Sequence, residues 1–132
     1  MSDLAALTWV GQVEPEDIEK LEALAKTTPE GSDATWIVLE HAANRLQIWR
    51  CADGLVVTQL LTNPNGKELF VYGIVGRGII GRLEDAANDL KQIAKSFGCN
   101  KIGGNVLRKG LEKLYLALGA RPVYTYYAME VE

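Results

Sequence analysis

The first 45 residues contain two stretches in which apolar side chains recur at helical spacing. The first follows a strand-like segment at 7–11 and opens at 14–17 with proline and acids, which favour a helix start. Its apolar positions are Ile18, Leu21, Leu24 and Ala25. A second helix is predicted over 34–44 with an N-cap at 32–33, although 36–39 is also typical of a buried strand. Its expected shared face consists of Trp36, Leu39, Ala42 and Ala43.

The middle of the chain predicts an antiparallel meander. Three β-like runs at 46–51, 55–62 and 68–75 are separated by Asp-Gly at 53–54 and by Asn-Pro-Asn-Gly at 63–66, which are turn sequences. A long amphipathic helix is predicted over 79–97 with Gly98 as its stop.

The C-terminal third predicts a short strand near 101–103, a helix over 108–118 ended by Gly119, and a final strand over 123–131. This order indicates one α+β domain spanning 1–132, with a parallel crossover through the long helix. The loop before that helix then lies at the carboxyl end of strand 68–75, where open sheets tend to bind ligands.

Composition excludes several classes of function. The 132 residues carry 14 basic and 17 acidic side chains, a formal charge of -3, which argues against a protein that mainly neutralises nucleic-acid phosphates. No apolar run reaches membrane-span length and the N-terminus lacks signal-peptide features, so a soluble cytoplasmic protein is expected. Cys51 and Cys99 are expected to be reduced thiols. With His41 as its one histidine, the chain is expected to hold no metal site and no Ser-His or Cys-His nucleophile.

A glycine-rich loop between strand 68–75 and the long helix is the main candidate for binding chemistry. Residues 73–82 hold four glycines and two arginines at a helix start, where backbone N–H groups and the helix dipole favour an anion. The alternative is that the glycines only form a tight turn and the arginines are solvated. Residues 76–81 fit Gly-x-Gly-x-x-Gly literally, but hairpin-connected strands precede them, so a dinucleotide fold is not indicated.

The element order together with this loop resembles the GCN5-related N-acetyltransferase (GNAT) superfamily. Leu114-Tyr115-Leu116-Ala117-Leu118-Gly119 is similar to the family's Leu-Tyr-x-x-Leu-Gly helix end. The resemblance implies a mixed, mostly antiparallel central sheet with helices on both faces, and acyl transfer from acetyl-CoA to a small-molecule or protein amine. It implies that the strand around 69–75 binds the pantetheine arm and that the loop amides hold the pyrophosphate. The implied cofactor residues are Ile74, Val75, Arg77, Gly78, Ile79, Ile80, Gly81 and Arg82.

The same resemblance implies further roles. Tyr115 would be the acid, Glu68 or a water the base, and Tyr72 and His41 acceptor-side residues. The structural alternatives are a tyrosine that covers its helix, a solvated glutamate beside Lys67, and a packed or surface histidine.

Residues 106–111 are similar to a motif of divergent GNAT-like proteins of tailed bacteriophages, which implies a phage protein in the host cytoplasm or the virion. The loop departs from the family's usual Gln or Arg, x, x, Gly, x, Gly or Ala. A non-catalytic GNAT-fold protein, such as a virion component or binding module, therefore stays an alternative, as does a small anion-binding regulator. The final strand would carry Tyr124 and Tyr126 on one face and Tyr127 and Met129 on the other, and an uncovered outer face would favour a homodimer.

Overall fold

A five-stranded open sheet and three helices form the structure, a computed structural model that describes residues 7–26, 33–51, 54–76, 83–105, 112, 115–116, 119–123, 129 and 131. The elements are β1 (Thr8–Trp9), α1 (Pro15–Ala25), α2 (Ala34–Ala42), β2 (Gln47–Cys51), β3 (Gly54–Asn63), β4 (Gly66–Val75), α3 (Leu83–Ser96) and β5 (Lys101–Gly104). The strands lie side by side in chain order. Strands β1 to β4 pair antiparallel, whereas β5 pairs parallel with β4 after the crossover through α3. The predicted α+β class, meander and crossover are confirmed.

Two apolar clusters cover the two faces of the sheet. Successive residues of β3 point to opposite faces, so Leu55 and Val57 belong to one cluster and Val56 to the other. The α1/α2 face comprises Val10, Leu21, Leu24, Ala34, Ile37, Leu46, Ile48, Leu55 and Val57. The α3 face comprises Leu7, Trp49, Cys51, Val56, Leu69, Val71, Ile74, Ala86, Ala87, Leu90, Ala94 and Tyr115. The prediction of helices on both faces is therefore confirmed.

Helix α1 begins as its sequence predicts, but its buried side includes a charge. Glu14 is the N-cap and Pro15 the first helical residue, and the Glu14 N–H donates to Asp17 Oδ2 at 2.9 Å. Asp17 is only 1% exposed and forms an ion pair with Arg50 of β2. Ile18 is exposed instead, so its expected place on the apolar face was wrong. The reason is that the ion pair turns the helix to bring Asp17, not Ile18, toward the sheet.

Helix α2 is present where it was predicted, and it rules out the strand alternative for 36–39. Asp33 caps it, because its side chain accepts from the Trp36 N–H at 2.8 Å. The buried residues are Ala34 and Ile37, whereas Trp36 and Leu39 are exposed, so the expected apolar face was wrong. The side of the helix with the smaller side chains, Ala34 and Ile37, packs on α1 and the sheet. The larger indole of Trp36 therefore stays outside.

The last third of the chain is described only in part. Glu112, Tyr115 and Leu116 are helical, and Gly119 follows with φ +85°, a conformation that favours the glycine predicted to stop this helix. Residues 124–128 of the predicted final strand lie outside the described residues, and Val123, Met129 and Val131 are exposed and not in a strand. The predicted homodimer through this segment stays a prediction. No helix within the described ranges combines the length and the apolar character that crossing a membrane requires.

Candidate functional site

Strands β4 and β5 stop pairing before β4 ends. Their parallel register runs from Glu68 with Lys101 to Val71 with Gly104, and β4 continues to Val75 beyond it. Both strands point their carboxyl ends to this edge of the sheet, which is the place predicted for ligand binding. We call this region, from the Val71–Gly104 pair upward, the β4–β5 mouth.

A β-bulge marks the mouth on the β4 side. Val57 of β3 pairs with Gly73 and the next residue, Thr58, pairs with Val71, so Tyr72 is the extra residue. The bulge lets Val71 and Ile74 share the α3 face although three positions separate them. Gly73 faces Leu24, whose Cδ1 would lie 2.5 Å from an added Cβ, so the close approach of α1 requires glycine there. Tyr72 packs against the α1/α2 face.

Tyr115 lies at the mouth on the α3 face. It is 8% exposed, and its hydroxyl donates to the backbone oxygen of Asn105 at 3.1 Å, directly after β5. Burial raises the pKa of Tyr115 to about 12. A Cβ atom on Gly104 would overlap the Tyr115 hydroxyl, so this glycine makes the space that the phenol fills. The ring packs in the apolar cluster of the α3 face, as the structural alternative expected. Its hydroxyl bonds to Asn105 and does not point out to solvent.

Glu68 lies on the other face of the same strand pair. Its side chain is 15% exposed, and its carboxylate is 3.5 Å from the Lys101 ammonium group. The expected solvated glutamate beside Lys67 is not observed, because the Glu68 side chain is largely buried and pairs with Lys101, while Lys67 donates to the Phe97 backbone oxygen at 3.2 Å. A Cβ atom on Gly103 would overlap the Glu68 carboxylate. The carboxylate therefore lies beside Gly103, further along β5 than the Lys101 with which Glu68 pairs.

The structure therefore places the two predicted catalytic groups at nearly the same height but on opposite faces of β5. Gly103 and Gly104 are consecutive strand residues, so Cβ atoms built on them would point to opposite faces of the sheet. Glu68 fills the space at Gly103 and Tyr115 fills the space at Gly104.

Tyr72 has an aromatic neighbour at the mouth. Its ring and the indole of Trp36 on α2 have centroids 5.8 Å apart and planes inclined by 40°. Trp36 is 41% exposed. Sequence reasoning assigned Trp36 to the protein core and missed this contact. The signal available was Gly73 inside a strand pattern, which indicates a bulge and hence a redirected Tyr72.

His41 lies away from this site. Its Nε2 donates to the Val10 backbone oxygen at 2.8 Å, since a carbonyl only accepts, and its ring contacts Trp9 with centroids 6.2 Å apart. Both partners belong to the β1 edge of the sheet, and three strand spacings, roughly 14 Å, separate β1 from β4. An open cavity of about 430 Å³ beside His41 is lined by Trp9, Gly11, Gln12, Val13, Val38, Ala42 and Asn44. The structure does not bring His41 together with Tyr115 or Glu68.

The residues predicted to hold the cofactor are described only at the start of the segment. Ile74 is buried on the α3 face and Val75 packs against the α1/α2 face, and both pair with β3. Gly76 follows with φ +110°, a backbone turn that favours glycine as the chain leaves the sheet. Arg77, Gly78, Ile79, Ile80, Gly81 and Arg82 lie outside the described residues.

Solved structures with this architecture include a probable acetyltransferase. Its crystal structure matches with a TM-score of 0.69 and 13% identity over 96% of this chain and 97% of that one. The chain has a GNAT-like fold. TTHA1254 from Thermus thermophilus matches with a TM-score of 0.61 and 19% identity over 94% and 96% of the two chains. An integron cassette protein from the mobile metagenome of V. cholerae matches with a TM-score of 0.62 and 12% identity over 95% and 91%.

At these identities the likeness shows the fold alone. No protein-family model matches the sequence, and no curated protein matches it. The GNAT-like fold was anticipated by the resemblance of the element order and of the Tyr115 segment. The chemistry of the site therefore depends on the residues at the β4–β5 mouth.

Proposed function

We propose that this protein is an acyl-CoA-dependent N-acyltransferase that transfers the acyl group directly to an amine at the β4–β5 mouth. The observation that carries the proposal is the position of the Tyr115 hydroxyl. It lies beside Gly104 and Asn105, where the pairing of β4 and β5 ends. The probable acetyltransferase with the same fold supports acyl-CoA as the donor.

The shape of the sheet suits an extended thioester substrate. Strand β4 runs four residues past its last pair with β5, from Val71 to Val75, so the two strands differ in length at this edge. Ile74 and Val75 would lie along the pantetheine arm, and the loop at 77–82 would approach the pyrophosphate. Bound acyl-CoA would supply a thioester carbonyl, at which the amine nitrogen forms a C–N bond as the C–S bond breaks.

Tyr115 would stabilise the departing sulfur. Burial raises the pKa of Tyr115 to about 12, so its hydroxyl is protonated at neutral pH and ready to donate. A thiol has a pKa of about 8.5, so complete transfer of the phenol proton to a thiolate is unfavourable. Tyr115 would therefore turn its hydrogen bond from Asn105 to the sulfur, and the thiolate would take its proton from water.

Glu68 would receive the proton that the amine loses. Its carboxylate lies beside Gly103, one residue below the mouth, and the exposed Lys101 is its partner at 3.5 Å. Because the Lys101 side chain is 60% exposed and only the Glu68 side chain is largely buried, an incoming amine can replace the lysine from the solvent side. The proton would pass to Glu68 directly or through one water.

A non-catalytic protein with this fold is the second candidate. Two observations favour it: the Tyr115 hydroxyl already donates to Asn105, and Glu68 already pairs with Lys101. Both groups thus have structural partners without any substrate. On this alternative the mouth serves as a binding module, for example in a phage virion.

Calorimetric titration with acetyl-CoA separates these candidates. We expect saturable binding in the micromolar range and its loss in a Gly78→Glu variant, because a negative side chain in the loop repels the pyrophosphate. Gln92→Glu on the exposed side of α3 adds the same charge elsewhere and is expected to bind as the unmodified chain does. Absence of binding by the folded protein at millimolar acetyl-CoA would contradict the enzyme proposal.

Release of free CoA thiol in the presence of an amine pool then tests catalysis. Removing the Tyr115 hydroxyl with Tyr115→Phe is expected to lower kcat at least about tenfold while the affinity for acetyl-CoA stays within a few fold. Binding without any thiol release in the unmodified protein would favour the binding module.

A further inference from the structure

Three side chains lie at or just below the β4–β5 mouth on the α1/α2 face: Trp36, Tyr72 and Glu68. Trp36 and Tyr72 form a tilted aromatic pair with ring centroids 5.8 Å apart. Glu68 extends its carboxylate over Gly103, one residue below the end of strand pairing. Tyr72 is the first β4 residue beyond that pairing. The Glu68 carboxylate therefore lies at the level of Phe70, about two strand residues or roughly 7 Å below Tyr72 along β4.

Each member of this group has a different binding capacity. Trp36 is 41% exposed, and an exposed indole can bind a flat or cationic group. Tyr72 extends that aromatic surface down to the strand, and Phe70, half-buried, lies between Tyr72 and Glu68 on the same face of β4. Glu68 supplies a negative charge at the lower end. The surface is thus apolar at the top and anionic at the base.

We infer that the acceptor is a primary amine carried on an aromatic body, with its ring against Trp36 and Tyr72 and its ammonium group at Glu68. This inference rests on the proposed function, and it names the substrate class of the same site. A purely polar amine would use only Glu68, where Lys101 competes for the carboxylate. A neutral aromatic molecule would use only the rings. A primary amine that also carries an aromatic ring uses both Glu68 and the two rings.

The position of the amine follows from this arrangement. With its ring on Trp36 and its nitrogen toward Glu68, the molecule spans the mouth from α2 to β4. Once the ammonium group has given one proton to water, its nitrogen carries a free electron pair and faces the end of β5, on whose other face the Tyr115 hydroxyl lies. The second proton, lost as the C–N bond forms, goes to Glu68. The nucleophile and the group that stabilises the leaving sulfur would therefore approach the thioester from opposite faces of the sheet.

Binding of simple probes without acetyl-CoA tests the inference directly. We would titrate the full chain with 2-phenylethylamine, with ethylamine, which lacks the ring, and with 2-phenylethanol, which lacks the charge. We expect 2-phenylethylamine to bind about tenfold or more tightly than either analogue. Trp36→Ala is expected to remove its advantage over ethylamine, and Glu68→Gln its advantage over 2-phenylethanol.

Leu39→Ala is the matched control, because Leu39 is an exposed apolar residue one turn further along α2. It is expected to leave all three affinities unchanged. Equal binding of the three probes, or a preference that survives Trp36→Ala, would overturn the inference. A preference that depends on Trp36 and Glu68 supports it even if acetyl-CoA does not bind. Acyl transfer to ethylamine as efficient as to 2-phenylethylamine would leave the proposed function intact and refute the aromatic acceptor.

Discussion

The two faces of the sheet bury a polar group in opposite ways. On the α1/α2 face, Asp17 is buried as a charged carboxylate held by Arg50 and by the N–H of Glu14. On the α3 face, Tyr115 is buried as a neutral phenol whose hydroxyl donates to Asn105. Burial acts to raise both pKa values. For Asp17 the hydrogen bond from Arg50, the N–H of Glu14 and the charge of Arg50 outweigh it, so the pKa is lowered.

This contrast separates a structural polar group from one suited to chemistry. Asp17 is fixed by several donors and joins α1 to β2 far from the mouth, so its charge serves the fold. Within the described part of the chain, the Tyr115 hydroxyl bonds to one backbone oxygen, at the end of a strand, and a single bond is readily redirected to another acceptor. A buried group with many partners holds structure, whereas one with a single partner at an open edge can act on a ligand.

The largest effect is expected from removing the buried charge. Asp17→Asn keeps the size of the side chain but loses its charge-assisted bonds to Arg50. The free energy of unfolding at pH 7 should fall by about 1.5 to 3 kcal/mol, measured by urea denaturation. Because the pKa of Asp17 lies below its ordinary value of 3.8, the contribution of the carboxylate is present above that pH and is lost as pH falls through the folded-state pKa. The variant should therefore lose less stability than the original chain on acidification.

Glu40→Gln provides the control for this change. It removes the same charge from an ion pair at 2.8 Å whose other member, Arg45, is 63% exposed at the surface. Such surface pairs contribute little, so the unfolding midpoint should hardly move. A loss of stability in Glu40→Gln equal to that in Asp17→Asn would show that net charge, and not the buried pair, controls stability.

The second effect compares the adjacent glycines of β5. Gly104→Ala forces a Cβ atom into the space of the rigid, buried Tyr115 ring and should cost about 1 to 3 kcal/mol. Gly103→Ala meets only the end of the Glu68 side chain, which can swing toward solvent, so its cost should stay below about 1 kcal/mol. Urea denaturation measures both. Equal costs for the two variants would contradict the difference between the packed face and the open face.

Most of the fold could be predicted from the sequence because its signals are local. Apolar spacing and turn residues predicted the meander, the long helix and the parallel crossover, and capping residues placed the starts of α1 and α2. The orientations of α1 and α2 could not be predicted in this way. Asp17 is buried because Arg50, 33 positions away, neutralises it, and periodicity does not register such a partner.

The sequence offered candidate site residues, but it did not predict how they are arranged. Tyr115 and Glu68 were selected from the resemblance, and the structure places them on opposite faces because strand alternation at Gly103 and Gly104 separates them. The contact of Trp36 with Tyr72 was missed because it depends on the bulge at Tyr72, which shifts the register of β4 against β3. His41 was selected for its chemistry, but α2 carries it to the β1 edge. Local sequence patterns identify candidate side chains. Which of them lie close together depends on the register in which the strands pair.

The smallest effect at neutral pH tests the α3 face alone. Tyr115→Phe keeps the ring and removes the hydrogen bond to Asn105, which should cost about 1 kcal/mol at pH 7.

In the folded chain the pKa of Tyr115 is raised from 10.0 to about 12, so the stabilising effect of the buried phenol is complete below pH 10 and is lost as pH rises toward 12. Urea denaturation across this interval should show a steeper loss of stability for the original chain than for Tyr115→Phe. Gly104→Ala, which displaces the same ring, should show the same flatter dependence. Parallel curves for all three proteins would mean that Tyr115 ionises as freely in the folded chain as in the unfolded one, and the contrast between the two faces would then fail.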